Sequence, residues 1–402
     1  MSAAENGRAI RVMTAAELKD RIRRGNPPAF GEVDAVTCGT FGVMSGTMAV
    51  LSFQAAEAGV FEKAVSVTIN GVPAAVGPCP NENNGFIDLI VLGTSVSKKN
   101  EKYGGGHLFK DLVSRRKTEA EIQTSSGFLT KELTLDEMNT ARLIVTRGSF
   151  KNYSAFANAA ASPVLTIFSV LPLQGNCAEI TVSGCGEINP AQNDPSLRHH
   201  RPGTRVLVNG AEGVLLGTGT RSSNEKPNLS AAADMFCMDP DLMGGFVTSK
   251  GAECLTSFAT VIPVSDEETF AALQITDAGI PLPVMDVSSR RPVSDTVYAD
   301  VWQGTDLEIT VLKEKCVRCE ECVASRTCPA GALETPFMIS KNCVSCLTCT
   351  VSCESGVYSA NGGTVLIDGK NAPIHLRQSD RRRGEKAASL LKSKIESGEW
   401  VI

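Results

Sequence analysis

The sequence predicts an α+β fold, with a large strand-rich body, a compact cysteine-rich segment and a terminal helix. Short apolar segments separated by turn residues dominate the first 300 positions, without the regular strand–helix alternation of a doubly wound parallel sheet. Eight of the fourteen cysteines lie between Cys316 and Cys353. Residues 370–402 carry eight Lys and Arg against four Asp and Glu, and their apolar residues recur at helical spacing.

These composition changes predict three units. Residues 1–305 form the mixed body, residues 306–370 form the cysteine-rich domain, and residues 371–402 form a basic helical tail. A basic tail on an acidic body is more typical of a docking face or a solvated helix than of a nucleic-acid reader.

Length and composition exclude several classes of protein. The chain has 402 residues, of which 42% are hydrophobic and 21% charged, and this excludes low-complexity disorder. A net charge of −5 gives no support to nucleic-acid binding. The sequence contains no run of eighteen apolar residues and no apolar signal-peptide core near Met1, so we expect no membrane span and a cytoplasmic location.

Hairpin signals and caps place the predicted elements. Asn70-Gly71 and Asp368-Gly369 each join two apolar segments as tight turns. Ser379 or Asp380 is expected to cap a helix that ends near residue 396. The other predicted helices cover residues 15–24, 136–143 and 266–278, and the other predicted strands cover 33–37, 86–92, 143–145, 164–171, 180–182, 205–208 and 214–216.

The cysteine spacing predicts two [4Fe–4S] clusters. Three cysteines at successive third positions let a tight loop surround one face of an iron–sulfur cube, and the fourth ligand comes from the other motif, as in two-cluster bacterial ferredoxins. A Cys-Pro pair at 328–329 fits the turn that follows a fourth ligand. We therefore assign one cluster to Cys316, Cys319, Cys322 and Cys353, and the other to Cys343, Cys346, Cys349 and Cys328.

Two features depart from the regular ferredoxin spacing. Five residues instead of three precede Cys328, which predicts a small extra loop at 323–327, and Glu354 stands where proline is usual. A zinc ribbon built on two Cys-x2-Cys pairs is the competing interpretation, but it leaves four thiols unused. Disulfides are disfavoured by the cytosolic context.

The body resembles the archaeal homocysteine-biosynthesis (sulfur-incorporation) family. The residues that carry the resemblance are 37–44 (Thr-Cys-Gly-Thr-Phe-Gly-Val-Met), 103–107 (Tyr-Gly-Gly-Gly-His) and the segment from Gly184 to the Asn-Asp-Pro at 193–195. With the two-cluster segment and residues 376–381 after it, the chain is similar to the methanogenesis marker sixteen metalloproteins.

The resemblance implies reductive sulfur incorporation, in which sulfide and a small aldehyde give a thiol with electrons from a donor protein. The alternative is a non-catalytic factor that passes electrons or sulfur to a methanogenic metalloenzyme. The family pattern implies a sulfur-carrying cysteine where this chain has Ser45, and a second one within residues 118–140, which contain no cysteine.

Three residues of the body are candidates for catalysis. Cys38 follows a predicted strand and precedes Gly39, where a thiolate can face backbone amides and have a lowered pKa. Cys185 lies between two glycines, where backbone can approach a ligand closely. His107 can protonate a carbonyl oxygen. The glycines before it are expected to offer free amides to an anion: Gly104, Gly105 and Gly106.

The remaining candidates are interpreted as structural. Cys79, Cys177, Cys237 and Cys254 are expected to be packing residues. His199 and His200, beside Arg201-Pro202, are expected to lie in a surface loop.

Overall fold

The structure is a computed structural model that describes residues 10–77, 82–151, 153–334 and 337–402, so Cys79 lies outside the described residues. Its strands are β1 (Val12–Thr14), β2 (Ala35–Val43), β3 (Thr47–Gln54), β4 (Ala64–Ile69), β5 (Val72–Val76), β6 (Phe86–Leu92), β7 (Thr118–Thr124), β8 (Phe128–Leu133), β9 (Met138–Phe150), β10 (Ala155–Ala157), β11 (Ile180–Val182), β12 (Arg205–Val208), β13 (Ala211–Thr218), β14 (Asn228–Asp234), β15 (Met243–Thr248), β16 (Gly251–Pro263), β17 (Val284–Asp286), β18 (Pro292–Ser294), β19 (Thr310–Val311), β20 (Leu333–Glu334), β21 (Met338–Ile339), β22 (Tyr358–Ser359), β23 (Thr364–Ile367) and β24 (Lys370–Arg377).

The α-helices of the described residues are shorter and fewer. They are α1 (Ala15–Arg23), α2 (Gly105–Val113), α3 (Pro190–Asn193), α4 (Glu267–Ala272), α5 (Ala299–Trp302), α6 (Val323–Thr327), α7 (Thr348–Ser352) and α8 (Arg381–Glu396). Mixed, strand-rich architecture of this kind confirms the α+β class.

One large sheet forms the frame of the body. Its fourteen described strands run in the order β1-β2-β16-β12-β13-β14-β9-β3-β6-β5-β4-β7-β8, with β15 paired to β16. The two long strands β2 and β16 are antiparallel, in a register that places Cys38 opposite Thr260. Nearly every residue of both strands is buried, because other elements cover both faces of this part of the sheet.

A second sheet joins the two ends of the cysteine-rich segment. Its described strands run in the order β18-β17-β10-β11-β24-β23, and β24 lies parallel to β11. Strands β17 and β18 precede the cysteines in sequence, whereas β23 and β24 follow them. The cysteine-rich segment is therefore an insertion between strands of one sheet.

Two pairs of short strands and two short helices make up the cysteine-rich segment. Strand β19 pairs with β22 and β20 pairs with β21, both antiparallel. Helix α6 packs against α7. A backbone hydrogen bond of 2.9 Å from the amide of Val247 on β15 to the carbonyl of Pro329 fixes this segment to the body.

The terminal helix α8 packs on β2 in the body. Asp380 caps it by accepting a hydrogen bond from the amide of Arg383, and Ala387, Leu391 and Ile395 are buried. The backbones approach so closely that a Cβ on Gly39 would lie 2.1 Å from the carbonyl oxygen of Gly384. Two glycines, one on each element, make this contact sterically allowed.

The hairpins were the best-predicted elements, because their turns carry local signals. Both turns, at 70–71 and 368–369, join the expected strands, α1 lies within the predicted 15–24, and α8 begins after its predicted cap Asp380. Residues 136–143 were wrongly predicted as a helix, since only a 3-10 turn at Leu135–Glu137 precedes β9. Residues 164–171 form no strand, only an isolated bridge at Val164.

Two further predictions need correction. The segment expected to be helical at 266–278 divides into α4 and a 3-10 turn at Asp277–Gly279. The expected loop at 323–327 is helix α6, whose extra residues complete a turn that buries Ala324. None of the described helices has both the length and the apolar character needed to cross a membrane.

Replacing Gly39 by alanine is expected to destabilise the protein by about 2 kcal/mol, because overpacking where backbone is the obstacle costs about 1–3 kcal/mol. Gly39→Ala should lower the thermal midpoint. Gly279→Ala is the matched control, since the nearest atom to its new Cβ lies at 3.7 Å. Equal midpoints for the two variants would contradict the described packing of α8 on β2.

Candidate functional site

The first group of cysteines lines one cavity. Cys316, Cys319, Cys322 and Cys353 all contribute to a cavity of about 1180 Å³ at the outer end of the cysteine-rich segment. Cys319 is exposed, and the neighbouring Val317 is 69% exposed. The grouping matches the set that the sequence assigned to one cluster.

The second group consists of Cys328, Cys343, Cys346 and Cys349, which lie together on the side that faces the body. Burial raises the pKa of Cys346 to about 12, and the nearby sulfurs of Cys328 and Cys343 add to this effect. Burial also raises the pKa of Cys349, and the nearby sulfurs of Cys346, Cys343 and Cys328 raise it further. Cys346 packs in one buried cluster with Phe41, Phe246 and Leu255 of the body and with Leu376.

The first loop of each group has the same local geometry. The amide of Arg318 donates to Sγ of Cys316 at 3.4 Å, and the amide of Ser345 donates to Sγ of Cys343 at 3.4 Å. Arg318 and Ser345 have left-handed φ angles of 52° and 48°. Such strained positions are rare for residues with a side chain, so their recurrence at equivalent places indicates two related loops.

The ring of Tyr358 lies between the two groups. It is 5% exposed and packs with Cys349 and with sulfurs of the first group in one buried cluster. Burial raises the pKa of Tyr358 to about 12. The sulfurs of Cys322 in one group and Cys349 in the other add to this rise. Cysteines of the two groups are therefore neighbours within one apolar cluster.

The described residues contain no set of three or more His, Cys, Asp and Glu side chains arranged to hold one metal ion. The four cysteines of the first group line one cavity of about 1180 Å³.

Cys38 is a buried neutral thiol, and the expected lowering of its pKa was wrong. Strand β2 continues to Val43, so Cys38 lies within the sheet rather than at a strand end facing free amides. Burial raises its pKa to about 12, although Lys19 opposes the shift. Lys19 is fully buried, and its ammonium donates to Oδ1 of Asn193 at 3.0 Å.

Cys185 is buried in the same cluster as Cys38. Its thiol donates to the carbonyl of Phe41 at 3.4 Å, and Phe41 packs with Cys346. Burial raises the pKa of Cys185 to about 11. The flanking glycines do permit close approach, but to the protein's own Tyr298 hydroxyl and Asp277 carboxylate.

Sequence reasoning missed a buried ionic network beneath Cys185. Arg381 donates to Oδ2 of Asp277 at 2.7 Å and to the carbonyl of Cys185 at 3.0 Å. The carboxylate of Glu187 accepts from the amide of Asp277 at 2.8 Å. Nothing in the basic run Arg381–Arg383 distinguishes the buried arginine from its partly exposed neighbours.

The expectation that His200 lies in a surface loop was wrong. Its ring is buried, with Nδ1 2.6 Å from Oδ2 of Asp194 and Nε2 2.8 Å from the hydroxyl of Thr260. Thr260 is the residue opposite Cys38 in the sheet. His199 is partly buried, and its Nε2 lies 3.1 Å from the hydroxyl of Thr269.

The glycines before His107 do not offer free amides. Gly105 and Gly106 begin α2, and their amides donate to the carbonyls of Ser95 and Gly93 at 2.9 and 3.0 Å. The amide of Gly104 donates to Nδ1 of His107 at 3.2 Å. The anion site expected at these three amides therefore lacks its donors.

His107 is held neutral. Burial lowers its pKa to about 4, and its ring stacks on Tyr103 with 5.5 Å between centroids. Because Nδ1 accepts a hydrogen bond, the proton of the neutral ring resides on Nε2. His107 can therefore donate one hydrogen bond at neutral pH but is not a general acid in its charged form.

The other cysteines and Ser45 have distinct surroundings. Cys254 is buried, with its pKa raised to about 12 by burial, as expected of a packing residue. Cys177 is half-buried, and Cys237 is exposed, so the packing interpretation was wrong for Cys237. Ser45 lies in the exposed turn between β2 and β3 and hydrogen bonds with Glu253, whose pKa is raised by burial.

The comparisons with known proteins identify the class of protein. The family model for homocysteine biosynthesis enzymes of sulfur incorporation matches residues 10–402. The chain therefore belongs to the homocysteine biosynthesis, sulfur-incorporation family.

Relatives within this family come from archaea. An uncharacterized protein of Methanothermobacter thermautotrophicus is 42% identical over 97% of this chain and 91% of its own length. An uncharacterized protein of Methanocaldococcus jannaschii is 38% identical over 98% and 99%. An L-aspartate semialdehyde sulfurtransferase of Methanosarcina acetivorans is 28% identical over 74% of this chain and 60% of its own length. No solved structure gives a significant match.

The neutral state of His107 predicts an acid-sensitive fold. A histidine whose pKa is lowered from 6.5 to about 4 contributes full stability above pH 6.5 and loses it as the pH falls toward 4. At pH 5 this loss is about 2 kcal/mol. His107→Gln, which cannot be protonated in this range, should lose less thermal stability between pH 7 and pH 5 than the unmodified protein. Equal losses would contradict the burial of the ring.

Proposed function

We propose that this protein is an iron–sulfur sulfur-incorporation protein that converts a short aldehyde and sulfide to a thiol. The observation that carries the proposal is the separation of eight cysteines into two groups of four, one of them packed on the body through Cys346 and Phe41. The family assignment supplies the sulfur chemistry, and the sulfurtransferase relatives indicate aspartate semialdehyde as the substrate.

The cysteine groups fit two [4Fe–4S] clusters in their donor chemistry. Each group offers four thiols, and its first loop directs an amide at a sulfur, as in ferredoxin-type sites. When bound, the clusters would supply single electrons. The polypeptide surrounds the second group with apolar side chains such as Phe246 and Leu255, which exclude water from it.

The proposed reaction balances with two electrons. Addition of hydrosulfide to an aldehyde forms a carbon–sulfur bond and opens the carbonyl π bond, and one proton on the resulting alkoxide gives a thiohemiacetal. Two electrons and two protons then break the carbon–oxygen bond, releasing water and leaving the thiol. The electrons come from a reduced donor protein of the ferredoxin class.

The exposed side of the first group is the proposed docking face for that donor. Val317 and Val323 on the wall of that group's cavity are 69% and 42% exposed, and Cys319 is also exposed. Electrons entering there would pass Tyr358 to the second group, which faces the body. This order places the sulfur chemistry at the inner end of the path.

Burial of the body thiols favours a second candidate function. Cys38, Cys185 and Cys254 all have pKa values raised by burial, whereas a nucleophilic thiol needs a lowered pKa and access. A factor that passes electrons or sulfur to another enzyme needs no such thiol in its body.

Anaerobic reconstitution tests the two clusters. Iron and acid-labile sulfide should each approach about eight per chain, with broad visible absorption. Cys316→Ala and Cys343→Ala should each lower both contents to about four, because each removes a ligand from a different group. Cys237→Ala, an exposed cysteine of the body, should leave them unchanged. Stoichiometric zinc without sulfide would refute the assignment.

Turnover separates the two candidate functions. The reconstituted protein, with sulfide, aspartate semialdehyde and a low-potential reductant, should release homocysteine. Cys185→Ala should lower the rate at least about 100-fold if this thiol handles sulfur. Cys38→Ala tests the other candidate thiol in the same way. Cys237→Ala serves as the control. A fully loaded protein with no product under any reductant would favour the transfer factor.

A further inference from the structure

A second cavity lies between the body and the cysteine-rich segment. It has a volume of about 220 Å³, and α2, β15 and the loops beside Cys328 and Cys343 form its walls. This is smaller than the ~300–1,000 Å³ of a pocket for a drug-sized ligand. The cavity therefore fits a molecule of a few carbon atoms.

The lining of this cavity is cationic. Its charged residues are Lys110, Asp111, Arg116 and Arg383. Asp111 is already neutralised, because it accepts from Arg116 at 3.0 Å and from the Tyr103 hydroxyl at 2.9 Å. Arg383 donates to the carbonyl of Cys343 at 2.7 Å and pairs with Asp380 at 3.3 Å.

Lys110 is the one cation of this lining that forms no ion pair within 4.0 Å among the described residues. The nearby carboxylate of Asp241 acts on its charge, but Asp241 itself pairs with Lys341 at 3.0 Å. Burial, and then the nearby Arg383, lower the pKa of Lys110 to about 8. A partly buried ammonium without a partner costs free energy that an anionic ligand would offset.

The cavity also offers a neutral donor and a close approach to the second cysteine group. His107 contributes a ring whose proton lies on Nε2, and a hydrogen bond from it suits a carbonyl oxygen. Asn342 and Val344 flank Cys343, and Ala330 lies two residues after Cys328. A ligand in this cavity would be held beside the second cysteine group.

We propose that this cavity binds a short-chain carboxylate, with Lys110 as the carboxylate-binding residue and His107 facing the carbonyl end. The identity of this carboxylate as the aldehyde substrate rests on the proposed function. Carboxylate binding itself does not, because it depends only on the cavity and its charges.

Calorimetric titration of the reconstituted full-length protein with L-homoserine tests the site. L-Homoserine carries the carboxylate but no reactive aldehyde, and 3-aminopropan-1-ol is the same molecule without the carboxylate. L-Homoserine should bind and 3-aminopropan-1-ol should not. Lys110→Met should raise the dissociation constant about tenfold or more, whereas Lys63→Met, an exposed lysine elsewhere on the body, should not change it.

A second variant tests the cavity without removing a charge. A Cβ on Gly244 would lie 3.8 Å from the Lys110 side chain, so Gly244→Val adds bulk inside the cavity at a position that tolerates a Cβ. Gly244→Val should weaken L-homoserine binding, and Gly244→Ala should weaken it less. These variants keep the test valid even where Lys110→Met fails to fold.

The failure of this inference is distinguishable from failure of the proposed function. Protein that loads iron and sulfide but binds no L-homoserine at millimolar concentration, or binds 3-aminopropan-1-ol equally well, overturns the carboxylate site alone. Unchanged affinity in both Lys110→Met and Gly244→Val also overturns it. Protein that loads no iron yet binds L-homoserine in a Lys110-dependent manner supports the site and contradicts the iron–sulfur proposal.

Discussion

The buried ion pair between Arg381 and Asp277 holds the end of the chain against the body. Their closest atoms are 2.7 Å apart, and both side chains are almost fully excluded from solvent. The Arg381 guanidinium also lies 5.3 Å from the centre of the Trp302 ring. Removing one partner of such a pair typically costs about 3–5 kcal/mol, because the other charge remains buried. The N-terminal turn of α8 is thereby fixed in position.

The position of the second cysteine group depends on this anchored turn. The amide of Arg377, at the end of β24, donates to the carbonyl of Cys346 at 3.1 Å, and Arg383 donates to that of Cys343. The guanidinium of Arg377 is itself buried and donates to the carbonyls of Val301, Asp306 and Gly362. Three arginines of one short segment therefore connect the body, the terminal helix and the inner cysteines.

Local signals made part of this molecule predictable from sequence. The two hairpins, the capped helix α8 and the partition of the cysteines depend on turn chemistry, capping and ligand spacing, which act over a few residues. The α+β class was predictable for the same reason, since it needs only the kind and order of elements.

Long-range packing decided what the sequence did not reveal. Cys38 has a raised pKa because β16 and α1 bury a strand that continues past it. The buried ring of His200 has both nitrogens hydrogen bonded, one with Asp194 and one with Thr260. Lys110 is a cavity residue only because the cysteine-rich segment folds back over α2. Except for Asp194, which precedes His200 by six residues, these neighbours are distant from their partners in the sequence.

Under the proposed iron–sulfur function, the insertion of the cysteine-rich segment between β18 and β23 would constrain how electrons reach the body. A module attached by one flexible connection samples many orientations, and its contact with a reaction centre then depends on diffusion of the tether. Here both ends of the segment enter the same sheet, and β24 continues directly into α8. The distance between the second cysteine group and the body is therefore fixed by the fold. Control of the proposed reaction would then have to come from the binding of small molecules or of an external protein.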